Sequence, residues 1–433
     1  MRARTLLTLA LAGSAMIVLA ACQSGEEPPA ESTFRSLLKL TANDAVDIDS
    51  LGFSVAVDGD YALVGAPGVN GLGDNQGAAY LFVQSQGGVD GWGQFKKLVP
   101  DDPADGDIFG ISVDLSGDYA VVGAGSEDGS GTDRGAAYIF SRNQGGENNW
   151  GQVKKLVAYD AEDGDGFGFA VAIEGDMVVV GADGADGTGT DQGAAYIFYR
   201  DRNGLDFWGL VTKLYSEHPA DANQFGYAVA IGGDVAVVGS PGENGEGTEC
   251  GVAYIFSRDL TGYDAWGLAA SFSPSDTPDY TWLATSVATD GGRVVIGSPF
   301  DPAGGTNRGA VHVLAKDQGG AGAWGTVKTL AASDAADDAL LGYSVAIDGE
   351  YIVAGAGRAK GGGTERGQAY VYRRDEGGAD NWGEVQRMRA NDGANEDWFG
   401  SAVSIDGLYI LVGAPAEDGE GRDRGAGYLF KKI

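Results

Sequence analysis

Residues 167–214 read FGFAVAIEGDMVVVGADGADGTGTDQGAAYIFYRDRNGLDFWGLVTKL. Two apolar runs, residues 169–173 and 177–182, flank Glu174-Gly175-Asp176. Glycine supplies the positive φ of a tight β-hairpin turn, so the pair reads as two antiparallel strands. A Gly- and Asp-rich loop (residues 183–192) follows, then a third apolar run at residues 194–199. After a longer connection a fourth run starts at Trp208 and reaches Leu214. The unit is four short strands, and no helical periodicity is present anywhere in the chain.

The unit recurs. Gly77, Gly135, Gly193, Gly251, Gly309, Gly367 and Gly425 stand 58 residues apart without insertion or deletion. The turn glycine repeats as Gly59, Gly117, Gly175, Gly233, Gly291, Gly349 and Gly407, with connections such as Asp58-Gly59. Trp92, Trp150, Trp208, Trp266, Trp324 and Trp382 form another column, preceded in register by Phe34. A fixed period of this size marks one structural unit copied along the chain. An open solenoid would need atypical capping repeats. Here the chain instead starts with a lone fourth strand, Phe34–Leu40, matching Trp92–Leu98, and ends after a third strand at residues 428–432. The two ends complete one blade. The expectation is an all-β, seven-bladed β-propeller over residues 34–433, four antiparallel strands per blade, its ring closed by the N-terminal strand so that no long edge is exposed.

The repeats resemble FG-GAP repeats, the units of the integrin α-subunit propeller and of many bacterial surface proteins. The FG element stands at Phe109-Gly110, Phe167-Gly168, Phe225-Gly226 and Phe399-Gly400. The GAP element stands at Gly65-Ala66-Pro67 and Gly413-Ala414-Pro415, with Gly239-Ser240-Pro241 and Gly297-Ser298-Pro299 as near matches. The resemblance implies a propeller used in adhesion, ligand binding or protein assembly. Integrin-type blades often hold calcium in a long loop between their first two strands. Here that loop is a two-residue turn, too short for six to eight oxygen ligands.

The N-terminus reads as an address. Arg2 and Arg4 precede an apolar stretch ending Leu19-Ala20-Ala21-Cys22, which looks like a bacterial lipobox. Residues 1–21 are expected to be a lipoprotein signal peptide and Cys22 the lipidated residue, anchoring the chain in the cell envelope. Gln23 after Cys22 favours the outer membrane. Residues 22–33 are polar with Pro28-Pro29 and read as a flexible tether. Cys250 then has no partner, so no disulfide framework is expected and stability must come from the repeat core.

The formal charge of −33 opposes binding to a phosphate backbone, so nucleic acid is not an expected partner. It favours cations and cationic partners. The interblade links carry Asp triplets: Asp44, Asp47 and Asp49; Asp102, Asp105 and Asp107; Asp160, Asp163 and Asp165. The loop after the GAP element adds Asp128 and Asp133. Carboxylates at such spacing are candidate calcium ligands, and capping of turns by Asp is the competing reading. Calcium is the one cofactor so suggested.

The repeats diverge most around blades four to six, where Glu217, His218, Tyr280, Trp282, Arg358 and Lys360 are candidate ligand-binding residues on the face of the links. The Trp column reads as packing between blades. No nucleophile motif, zinc-ligand pair or phosphate loop is present, so no catalytic residue is expected. The expected function is a non-catalytic envelope module that binds a protein or glycan. The alternative is a hydrolase or lyase that acts on polysaccharide through rim carboxylates.

Overall fold

A computed structural model of the chain describes residues 33–71, 73–84, 90–187, 189–245, 247–260, 262, 264–275 and 278–433. The leader, Cys22 and the tether up to residue 32 lie outside the described residues. The strands form seven four-stranded antiparallel sheets. Blade three holds Ala170–Glu174, Met177–Ala182, Ala194–Tyr199 and Gly209–Leu214, from the innermost strand outward. The innermost strands of blades one, two and four are Val55–Asp58, Val113–Ser116 and Ala228–Gly232. Those of blades five, six and seven are Ser286–Thr289, Ser344–Asp348 and Ala402–Asp406.

The second and third strands of each blade are apolar on both faces because each sheet is packed between two others. Between blades one and two, Leu63 and Leu81 meet Val122, Tyr138 and Trp150, all fully buried. Corresponding clusters fill the other interfaces. The Trp column lies in these wedges. Trp150 packs edge-on against Tyr61 of the preceding blade at 5.2 Å, and Trp208 against Tyr119 at 5.4 Å. Phe34 holds the same place against Tyr351 at 5.4 Å.

Two details of the strands differ from the sequence reading. Asp58 pairs with Tyr61 and Glu174 with Met177, so the turns are Gly59-Asp60 and Gly175-Asp176, not Asp58-Gly59. Glycine is therefore the first central residue, at φ +53 and +55, the position where a type II′ turn takes glycine. The last strand is Ala426–Lys432, beginning two residues before position 428. Pairing with Tyr409–Ala414 carries it back to Ala426 opposite Ala414, and the N-terminal strand covers its other edge from Phe34 opposite Lys432 to Leu40 opposite Gly427.

The column of seven glycines acts between blades. Gly193 forms a parallel bridge to Phe225 of the next blade, and Gly77, Gly309, Gly367 and Gly425 do the same with Phe109, Leu341, Phe399 and Leu51. All seven have φ between +76 and +85. A Cβ on Gly193 would stand 2.1 Å from the Phe225 carbonyl oxygen. The inner strands are clasped laterally as well. Gly175 N donates to Ser116 Oγ at 2.9 Å and Gly407 N to Asp348 Oδ2 at 2.7 Å. Across the closing junction Gly59 N donates to Asp406 Oδ2 at 2.6 Å.

Candidate functional site

The interblade links and the loops between second and third strands meet on one face. The link residue Asp163 accepts from Thr132 N at 3.2 Å and from Arg134 Nε at 2.8 Å, both on the preceding blade's loop.

On that face the three carboxylates of a link diverge. The first is held by its own blade. Asp44 accepts from Lys97, Asp102 from Lys155 and Tyr138, and Asp160 from Lys213 and Tyr196, at 2.7–3.1 Å. The second reaches the preceding blade's loop: Asp47 accepts from Arg422 N and Arg424, Asp105 from Gln76, and Asp163 as above. The third turns inward and closes a turn, Asp49 on Val46 N, Asp107 on Ala104 N and Asp165 on Glu162 N. In the adjoining loop Asp128 accepts from Asp133 N at 3.1 Å. The Asp-x-x-Asp-x-Asp spacing thus sends its side chains to three different partners. Among the described residues no group of three His, Cys, Asp or Glu side chains is placed to hold a metal ion. With each carboxylate engaged by a different partner, adding calcium or a chelator is expected to move the melting temperature by less than about 1 °C. A saturable rise of several degrees in a thermal scan would instead show calcium held by these loops.

The acids also set the pH response. Burial works to raise Asp44, Asp160, Asp334 and Asp392, but a hydrogen bond from a Lys or Arg, joined at the last three by a Tyr hydroxyl, outweighs it and holds them below the ordinary carboxylate range. Burial pushes Asp107 up to about 6 and Asp114, in the channel wall, up to about 7. The first set contributes stability above the unfolded carboxylate value, and that stability is lost as pH falls through their lowered values. The second set costs stability when ionised, and that cost is relieved progressively as pH falls from about 6–7 to the unfolded carboxylate value near 4. Stability is expected to rise from pH 8 to about 5 and to drop below about 3–4. Melting curves of wild type and Asp114→Asn check this, the variant having the flatter limb between about pH 7 and 4. A steady fall from pH 8 to 5 would be the contrary result.

The divergent residues do not converge. Glu217 and His218 are exposed in the link into blade four, and His218 N donates to Ser216 Oγ. Tyr280 is exposed in the link into blade five, while Trp282 packs edge-on against Phe300 at 5.5 Å. Lys360 is exposed on the blade-six loop. Arg358, on the same loop, does line a pocket.

That pocket arises where the repeat loses bulk. Each innermost strand is entered through one residue at the mouth of the central channel: Phe53, Ile111, Phe169, Tyr227, Thr285, Tyr343 and Ser401 in blades one to seven. Ser401 is the smallest and stands between Tyr343 and Phe53. The loop residue that covers Trp282 in blade five is Phe300, but its counterpart in blade seven is Ala416. Trp398, the counterpart of Trp282, is therefore uncovered. A cavity of about 450 Å³ opens here, lined by Ile48, Phe53, Tyr343, Glu396, Trp398 and Asp423 among others. A second, of about 290 Å³, shares Tyr343, Trp398 and Ser401 and continues to Arg358 and Glu365. Phe53, Tyr343 and Trp398 are 43–44% exposed, unlike the Trp column, most of which is buried.

Trp398 is braced. Its Nε1 donates to Glu365 Oε2 at 3.3 Å, and Arg358 Nη2 and Nε donate to Glu365 Oε1 at 2.6 and 3.1 Å. The Arg358 hydrogen bonds hold Glu365 below the ordinary carboxylate range. A rigid aromatic floor with polar groups at its edge is suited to binding, since little side-chain freedom is lost on contact. Phe53, Tyr343, Trp398, Glu365 and Ser401 were not singled out in the sequence reading. Alignment of the repeats column by column carries the signal: a small residue at position 401 beside an uncovered Trp.

A family model described as FG-GAP repeat matches seven segments of the chain, residues 34–82, 92–140, 150–198, 208–256, 266–314, 324–372 and 382–430. No curated protein matches the chain.

Proposed function

Because the chain belongs to the FG-GAP repeat family, we propose that it is a non-catalytic binding propeller, anchored at the bacterial cell envelope through Cys22 and recognising a protein or glycan on the face of the interblade links. The observation that carries this reading is the double cavity around Trp398, where three exposed aromatics stand on a rigid ring. One of its carboxylates, Glu365, is tied to Arg358 and held below the ordinary carboxylate range, which unsuits it to act as a general acid. The anchor rests on the lipobox-like residues 19–22.

Ser401→Phe tests the reading. Phe169 occupies the same column over Gly125, and Gly357 lies under Ser401, so the fold has room for the larger ring while the cavity is filled. The intact protein is screened against a glycan array and purified envelope proteins. A ligand retained by wild type and lost by Ser401→Phe, with unchanged melting, is the expected result. Ligands that bind both forms equally would remove the cavity from function, and glycan cleavage would replace a binding module with an enzyme.

A further inference from the structure

We propose that the cavity between blades seven and one binds an organic cation, the alkylammonium or guanidinium head of a small molecule or of a basic side chain. The inference rests on the reading of this groove as the binding site and adds the chemistry of its ligand.

Three features converge. First, the walls are aromatic: Phe53, Tyr343 and Trp398 line one space, with Ile48 adding apolar surface. Aromatic faces carry negative charge density and attract cations within about 6 Å, most strongly when water is displaced. Second, the charged residues lining that space are Glu396 and Asp423, and no Lys or Arg is among its lining residues. Arg422 Nε lies 3.6 Å from Asp423 Oδ2 at an exposed position, where such a pair contributes little. Arg358, in the adjoining cavity, is already neutralised by Glu365. Third, the chain carries a formal charge of −33, so its field draws cations to any such pocket.

The alternatives fit less well. A hard metal ion takes six to eight oxygens, and this space offers two carboxylates among aromatic rings. An anion would meet the aromatic faces and both acids with the wrong sign. A neutral sugar would stack on Trp398 and donate hydroxyl hydrogen bonds to Glu396 and Asp423, but it would leave both negative charges uncompensated.

Calorimetry of the intact protein with choline and with its uncharged isostere 3,3-dimethylbutan-1-ol separates charge from shape. N-acetyl-lysine and N-acetyl-arginine methylamides report whether a peptide side chain serves as well as a free ammonium. Choline or one of the amides is expected to saturate, with affinity falling as salt rises. The isostere is expected to bind at least about tenfold more weakly. Trp398→Ala is expected to lose about tenfold or more, and Glu396→Gln with Asp423→Asn several-fold, with unchanged melting curves as the control for folding. Equal binding of choline and the isostere would overturn the cation assignment and leave the groove standing. No binding of any cation, with a glycan or protein still lost in Ser401→Phe, would do the same. If Ser401→Phe changes the binding of nothing, both readings fall.

Discussion

Replacing Gly193 with alanine is expected to destabilise the propeller by about 4 kcal/mol or more, against about 1–2 kcal/mol for the same change at Gly175. Both glycines recur in every blade and both have positive φ, +80 and +55. They differ in their surroundings. A Cβ at Gly175 meets nothing within 4 Å, so alanine there pays only for a left-handed backbone. A Cβ at Gly193 would stand 2.1 Å from the oxygen and 2.3 Å from the nitrogen of Phe225, and neither is the movable end of a side chain. Relief requires breaking the bridge between Gly193 and Phe225 and shifting a fully buried phenylalanine that packs on Tyr254 at 5.4 Å. Urea midpoints and slopes for the two variants measure the difference. Equal losses at the two positions would show that the column serves backbone conformation alone.

Deleting Phe34–Leu40 is expected to be worse still. The segment is the outer strand of the last blade, and it pairs the start of the propeller with the chain's final strand. Phe34 and Leu40 are 1–2% exposed, and burying two such side chains contributes about 1.5–3 kcal/mol each. Lys39 is paired with Asp392 and Glu417 at 2.9 and 2.6 Å, and those acids would lose their cation. The deletion also uncovers one edge of Ala426–Lys432, an unpaired apolar strand ready to dock on another chain. A loss of about 5 kcal/mol or more and concentration-dependent association are expected. Sedimentation at several concentrations, with and without a synthetic FRSLLKL peptide, checks both. Restoration of the monomer by the peptide is the specific outcome. A deletion variant that stays monomeric and melts like wild type would mean that the ring does not depend on this closure.

Much of the fold was legible because each blade is local. Strands at Met177–Ala182 and Ala194–Tyr199 follow from runs of apolar residues between glycines, and the lone strand Phe34–Leu40 follows from its likeness to Trp92–Leu98. The packing role of the Trp column also followed, since a large aromatic repeated at one place needs a repeated hole. The turns were misread by one residue because Asp-Gly and Gly-Asp both satisfy a hairpin pattern, and the register that separates them is set by pairing such as Asp58 with Tyr61.

The candidate site was much less legible. Arg358 was found as a departure from the repeat, but its partner Glu365 and the indole of Trp398 were not, because their link is a contact between one blade's loop and the next blade's link. The Asp triplets left calcium binding and turn capping open for a related reason. Their spacing puts three carboxylates close along the chain, yet Asp160 turns to its own blade, Asp163 to the preceding one and Asp165 inward. A chain of near-identical units thus specifies its architecture through short-range pattern: seven blades, four strands each, and a closing strand. What the folded ring added is the meeting of unlike copies. Phe53 opens the first blade and Trp398 enters the last, and they share a cavity because the ring closes and Ser401 leaves space between them.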